Sequence, residues 1–148
     1  KKENFKFGEQ MNIHRIASIL IGLPFIWIGI THFTNTAWFE PIVPEILGDA
    51  RFWVLASGVF EILFGITIMI PKFTKITAVG MVAMLVVLYW ANLNMWINDI
   101  SLGDTDLSNI EHVIRAFIQL MLILMILWIG KLLPFKQEGY VLKESYED

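Results

Sequence analysis

The sequence contains no cysteine, which removes a thiol nucleophile, a disulfide relay, an iron–sulfur cluster and a cysteine-built zinc site. Any redox role therefore needs a borrowed cofactor. Charge is scarce as well: 17% of the 148 residues are Asp, Glu, Lys or Arg, and the net charge is −3. No basic face is available to meet phosphates, so nucleic acid is excluded as a partner. Internal repeats, low-complexity tracts and a second domain are lacking too. What fills the chain instead is apolar, at 56% of residues and a mean hydropathy of +0.62, collected into long, nearly uncharged runs. That distribution belongs to an integral membrane protein and argues against a soluble enzyme.

Four runs reach spanning length: Ile16–Phe33, Phe52–Ile70, Ile76–Ile97 and Val113–Leu133, each close to the roughly 20 residues that ~30 Å of hydrocarbon requires. They predict an all-α, antiparallel up-down four-helix bundle with helices over about 13–35, 50–70, 75–97 and 109–133. A single transmembrane domain then covers 1–135, and 136–148 forms a short polar cytoplasmic tail. The link Pro71–Lys75 is short enough to make the second and third helices antiparallel neighbours, and Pro71 stops the second. Ser108-Asn109-Ile110-Glu111 has capping-box spacing, so the fourth helix starts near Asn109. The longer connection Thr34–Arg51, with Pro41, Pro44 and Gly48 among Trp38, Phe39, Ile42 and Ile46, is expected in the interface with one short helix.

The charges orient the bundle. Lys1, Lys2, Lys6, Arg15, Lys72, Lys75, Lys131, Lys136 and Lys143 flank one side, while Arg51 stands alone on the other. The positive-inside rule puts both termini in the cytoplasm, and a bacterial inner membrane is expected. The opposite rim is acidic, with Glu40, Glu45, Asp49, Asp99, Asp104, Asp106 and Glu111, and Trp38, Trp53 and Trp96 mark that interface. The first run follows basic residues and lacks a small-residue cleavage site, so it reads as a retained helix rather than a signal peptide. Lys1 leaves the native start open.

The informative residues are the polar ones inside the spans. At 1.5 Å of rise per residue, Glu61 lies about 14 Å beyond Phe52, Asn92 about 8 Å before Ile97, and Arg115 and Gln119 about 9 and 15 Å beyond Asn109. With His32 at the end of the first helix, and with Ser57 and Asn94, all fall in the outer half of the membrane, whereas the inner half is nearly purely aliphatic. Ser57 and Glu61 are i,i+4 on one face, as are Arg115 and Gln119. A lone carboxylate or guanidinium in hydrocarbon costs roughly 3 kcal/mol or more, so Glu61 and Arg115 are expected to avoid lipid and to pair with each other. One reading makes this a buried ion pair, completed by Asn92 and Gln119, that only holds helices in register. The other makes the cluster line an outward-facing pocket, with Trp53 and His32 at its edge. Donors outnumber acceptors in the set, which favours the pocket.

Weaker signals have plainer explanations. His32 and His112 lack metal-ligand spacing and read as interfacial residues, and no metal is expected. Gly22 and Gly29, seven apart on the first helix, suggest close helix packing, and Pro24 a kink; Gly58 and Gly65 adjoin the Ser57 and Glu61 face of the second.

Gly29-Ile-Thr-His32-Phe33 with Pro41 and Pro44, then Ser57-Gly58-Val-Phe-Glu61, Asn92-Leu-Asn94-Met95, and Arg115 with Gln119, in that order on four helices, resemble the DoxX-like membrane proteins over nearly all of residues 13–133. The resemblance implies a small four-helix membrane protein. Relatives of that kind include quinone-linked subunits of thiosulfate oxidation, partners of membrane oxidoreductase complexes and a chaperone branch for nicotinic receptors. It implies a shared site at Glu61, Asn92, Arg115 and Gln119 with His32, while cysteine-dependent partnership is not available to this chain.

The expected function is that of an accessory module, not an enzyme by itself. Its ligand-binding set is Glu61, Arg115, Asn92, Gln119, Ser57, His32 and Trp53, with no catalytic residue assigned. It would take a quinone, bound non-covalently, or a lipid-like molecule with a polar head, and serve an oxidoreductase system. In that role Glu61 accepts or relays a proton, Arg115 anchors an oxygen, and the amides orient the ligand. Membrane lipids, another membrane protein and further copies of the chain are the other expected partners. The alternative is an assembly factor recognising a client transmembrane helix. An enzymatic proton shuttle of the sterol-isomerase kind ranks last, because one intramembrane carboxylate offers no acid–base pair.

Overall fold

The structure is a computed structural model, and it describes residues 13–134. The tail expected over 136–148 lies outside the described residues, as do Lys1, Lys2, Lys6, Lys136 and Lys143. Helix α1 spans Ile13–Thr34, α2 Thr36–Phe39, α3 Ala50–Ile68, α4 Thr74–Ile97 and α5 Asn109–Ile129. The described residues form no strand, and α1, α3, α4 and α5 are each long and apolar enough to cross a membrane.

The ends of these helices follow local chemistry. At the start of α5 the Ser108 hydroxyl accepts from the Glu111 backbone N–H and the Glu111 carboxylate accepts from the Ser108 N–H, completing the expected capping box. Asp49 caps α3 by accepting from Phe52 N at 3.2 Å. Helix α3 ends two residues before the expected Ile70, because Pro71 drives the residue preceding it out of helical conformation. Helix α5 stops at Ile129 rather than 133, where the chain turns through Gly130 and a left-handed Lys131 (φ 55°). Helix α1 continues through Pro24.

The closest packing among the four long helices is that of α1 on α3; α4 packs on both α5 and α3, and α1 also touches α5. The α1–α3 approach is made by glycine. A Cβ on Gly29 would lie 2.8 Å from the Gly58 carbonyl oxygen, and one on Gly65 would lie 2.7 Å from that of Gly22. Only residues without a side chain bring two helix backbones so close. As residue numbers rise along α1, their contacts fall along α3. Away from the polar residues the interior is aliphatic and thioether: Phe25, Ile68, Ala78, Met81, Leu85, Ile126 and Ile129 form one buried cluster. Outward, Leu20, Trp27, Val87, Phe117 and Ile118 are each more than half exposed, a belt that water would not tolerate and a bilayer would.

The connection between α1 and α3 holds the expected short helix, α2, and adds two 3₁₀ turns at Glu40–Ile42 and Glu45–Leu47. It is tied down at several points. Thr36 Oγ1 donates to His32 O (2.7 Å), Asn94 Nδ2 to Ile42 O (3.2 Å) and Trp53 Nε1 to Leu47 O (2.8 Å). The bare face of Gly103 lies under the Trp38 indole, where a Cβ would come within 2.7 Å of its nitrogen.

Candidate functional site

The sequence-derived polar residues assemble into two clusters, one on each helix pair. The first joins α1 and α3. Ser57 and Glu61, one turn apart, both meet the His32 ring: Nδ1 lies 3.1 Å from Ser57 Oγ and 3.3 Å from Glu61 Oε2. The glycine approach produces this meeting, since His32 follows Gly29 by three residues and its Cβ lies 2.8 Å from where a Cβ on Gly58 would stand. His32 is buried, at 7% exposure, with the edge of Phe39 against its ring at 4.2 Å between centroids. The ring is covered by α2, whose Phe39 closes over the end of α1. His112 is also buried, stacked on Trp96.

The proton count in this cluster is constrained. Ser57 Oγ, with a single hydrogen to give, lies 2.9 Å from Val54 O and 3.1 Å from His32 Nδ1. Two bare acceptors at 3.3 Å would repel, so a proton sits either on His32 Nδ1 or on Glu61. Glu61 Oε2 is buried without a well-aligned hydrogen bond even so.

The second cluster joins α4 and α5. Arg115 Nη2 donates to Asn92 Oδ1 (2.7 Å), Asn92 Nδ2 to Gln119 Oε1 (3.0 Å) and Gln119 Nε2 to Leu85 O (2.5 Å). The direction of this chain follows from chemistry. A guanidinium has no acceptor, so Asn92 must turn its oxygen to Arg115; its NH₂ then requires the oxygen of Gln119, whose NH₂ is left for a carbonyl. Arg115 Nη1 reaches Met95 Sδ at 3.3 Å.

The expected Glu61–Arg115 pair is not formed. Glu61 faces His32, Arg115 faces Asn92, and no ion pair joins Arg115 to a carboxylate among the described residues. The physical reason is the helix pairing: glycine contacts turn the Glu61 face of α3 toward α1, while Arg115 is claimed by the amide of α4. Trp53 stands apart from both clusters, more than a third exposed and hydrogen-bonded to the connection after α2. Sequence reasoning missed Met95 and Phe39 as members. Met95, three residues after Asn92, shares its helix face and was detectable from spacing; Phe39 depends on the fold of α2 and left no local signal. Among the described residues no group of three His, Asp or Glu is placed to hold a metal.

A family model described as a domain of unknown function, DUF8561, matches residues 21–130. The chain belongs to this family. The matched span contains both clusters and all seven sequence-derived site residues. No curated protein and no solved structure matches the chain, and nothing in the family match links it to the DoxX-like proteins.

Proposed function

We propose that this DUF8561 member is an up-down four-helix protein of a bacterial inner membrane, with both termini cytoplasmic, whose outer-half polar clusters bind a quinone or lipid-like amphiphile in service of a membrane oxidoreductase system. A kinship with DoxX-like proteins is part of the same proposal and rests on the order of the polar motifs along the four helices. The observation that carries the reading is that two ionisable residues at comparable depth do not neutralise each other. Glu61 keeps a buried oxygen without a good hydrogen bond, and Arg115 keeps donors without a carboxylate. A purely structural cluster would close on itself, because unsatisfied groups in a low-dielectric interior cost about 1–3 kcal/mol each. Ionisable groups retained inside a membrane are candidate functional sites by default.

The lateral organisation supports the same reading. One cluster lies on α1 and α3, the other on α4 and α5, and α3 packs on α4 and α1 on α5 between them. A ligand head placed between the pairs would meet the proton-bearing His32–Glu61 couple on one side and the guanidinium on the other, with its tail among the aliphatic inner residues or the bilayer. Photolabelling tests this: a short-chain quinone carrying a diazirine is incorporated into proteoliposomes and the labelled residues are mapped. Labelling confined to the neighbourhood of His32, Phe39, Glu61, Asn92 and Met95, and suppressed by excess unlabelled quinone, is the expected result. Labelling spread along Leu20, Trp27, Val87 and Phe117 without competition would contradict it.

A further inference from the structure

We infer that Arg115 is an anion-recognising residue, so that the amphiphile taken by this site carries a negatively charged oxygen head, a phosphate or a carboxylate. This rests on the binding-site reading above and narrows its ligand class.

The inference follows from the hydrogen-bond count. Of the five N–H donors of a guanidinium, Arg115 spends one on Asn92 Oδ1 and one on the thioether of Met95; the other three have no hydrogen-bond acceptor among the described residues. The positive charge is left over as well. On its own helix Glu111, one turn earlier, is held elsewhere, with Oε2 accepting from Ser108 N at 2.7 Å and from Ser108 Oγ at 2.8 Å. On α3 the one carboxylate inside a span, Glu61, faces His32. Helix α4 contains no acid. Asn92 and Gln119 extend the same polarity, because every hydrogen bond of the chain runs away from Arg115 toward Leu85 O, which leaves the cation as its unopposed head.

A neutral quinone carbonyl could accept from this fork but would leave the charge uncompensated. A phosphate or carboxylate accepts two parallel N–H bonds and cancels the charge, an interaction roughly twice as strong as its neutral counterpart. The position suits such a head: Arg115 lies about 9 Å of helix rise inside the start of α5, within reach of a long side chain extending toward the headgroup layer. Thioether, amides and guanidinium in one half-buried cluster supply both the polar contact and an apolar shoulder for the first carbons of a tail.

The test uses the full chain purified in a neutral maltoside detergent. Phosphatidylglycerol, phosphatidylcholine, oleate, inorganic phosphate and a short-chain neutral quinone are titrated separately, with thermal unfolding and native mass spectrometry as readouts. Phosphatidylglycerol and oleate are expected to saturate at one per chain, about tenfold or more tighter than phosphatidylcholine or the quinone. Inorganic phosphate is expected to be ineffective at the same concentrations. Arg115→Gln should abolish the preference for the anionic probes, and Arg115→Lys should retain part of it. Equal binding of anionic and neutral probes by the wild-type chain overturns the inference while leaving the binding site standing. Saturation by inorganic phosphate alone overturns the amphiphile and makes the ligand a soluble anion. Failure of every probe overturns both this inference and the function it rests on, and since the wild-type comparison is decisive alone, a poorly folded Arg115→Gln does not rescue either.

Discussion

Replacing Gly29 or Gly22 by alanine should destabilise the bundle by about 1–2 kcal/mol and loosen the His32 cluster with it. The added Cβ at position 29 would stand 2.7 Å from Ile62 Cγ1, 2.8 Å from Gly58 O and 3.0 Å from Ile62 N; at position 22 it would stand 2.5 Å from Gly65 O. Two of these neighbours are backbone carbonyls, which have no rotamer through which to yield. Relief therefore requires α1 and α3 to separate by several tenths of an ångström, and a gap of 0.5–1 Å already forfeits a quarter to a half of each dispersion contact across it. Overpacking of this kind costs about 1–3 kcal/mol, partly offset by up to about 1 kcal/mol of helix propensity gained on replacing glycine. Gly80→Ala is the control, because its Cβ would meet only the Phe64 ring, a side chain that can turn aside. Detergent-to-dodecyl-sulfate unfolding followed by circular dichroism reads the difference. If Gly22→Ala and Gly29→Ala leave the midpoint at the wild-type value while Gly80→Ala lowers it, the close approach of α1 and α3 is not what holds this pair.

The other cluster and the caps yield further expectations. Asn92→Leu removes the acceptor of Arg115 and the donor to Gln119 together, at about 1–3 kcal/mol for each buried group left unpaired, whereas Asn92→Asp loses only the donor to Gln119 and gives the guanidinium a carboxylate, so it should lie above Asn92→Leu; the order of the unfolding midpoints decides. Ser108→Ala should cost about 1 kcal/mol through loss of the capping box, seen as fraying of the first turn of α5 in hydrogen exchange. Arg115→Met removes a cation that no carboxylate offsets, at an insertion cost of about 2.5–3.5 kcal/mol, against the loss of its hydrogen bond to Asn92 Oδ1 and a weaker one to Met95 Sδ. Its unfolding midpoint in ligand-free detergent should equal or exceed that of wild type, and a large drop would show that Arg115 is a structural strut.

The spans, the capping box and the i,i+4 pairs were legible because each depends on residues close in sequence. Ser57 and Glu61 share a face whatever lies opposite, as do Arg115 and Gln119. Which helix lies opposite is a different kind of information, and the Glu61–Arg115 pairing failed there: matching depth and charge say nothing about which neighbour a helix face meets. A signal was present in the glycines. Gly22 and Gly29 are seven residues apart, and so are Gly58 and Gly65; docked against each other in opposite directions they give the observed matches of Gly22 with Gly65 and Gly29 with Gly58. That register carries His32 to Ser57 and Glu61 without further assumption. The burial of His32 by α2 and Phe39 was not legible, because it depends on how an irregular connection folds over the helix it leaves.

The central claim, that these clusters hold a ligand, is tested most directly by native mass spectrometry of the purified chain released from neutral detergent. One amphiphile of defined mass per chain, present in wild type and in Ser108→Ala and lost from Arg115→Gln, is the predicted result. A bare chain, or a ladder of lipid adducts identical in wild type and Arg115→Gln, would contradict it and leave the two clusters as helix-packing devices.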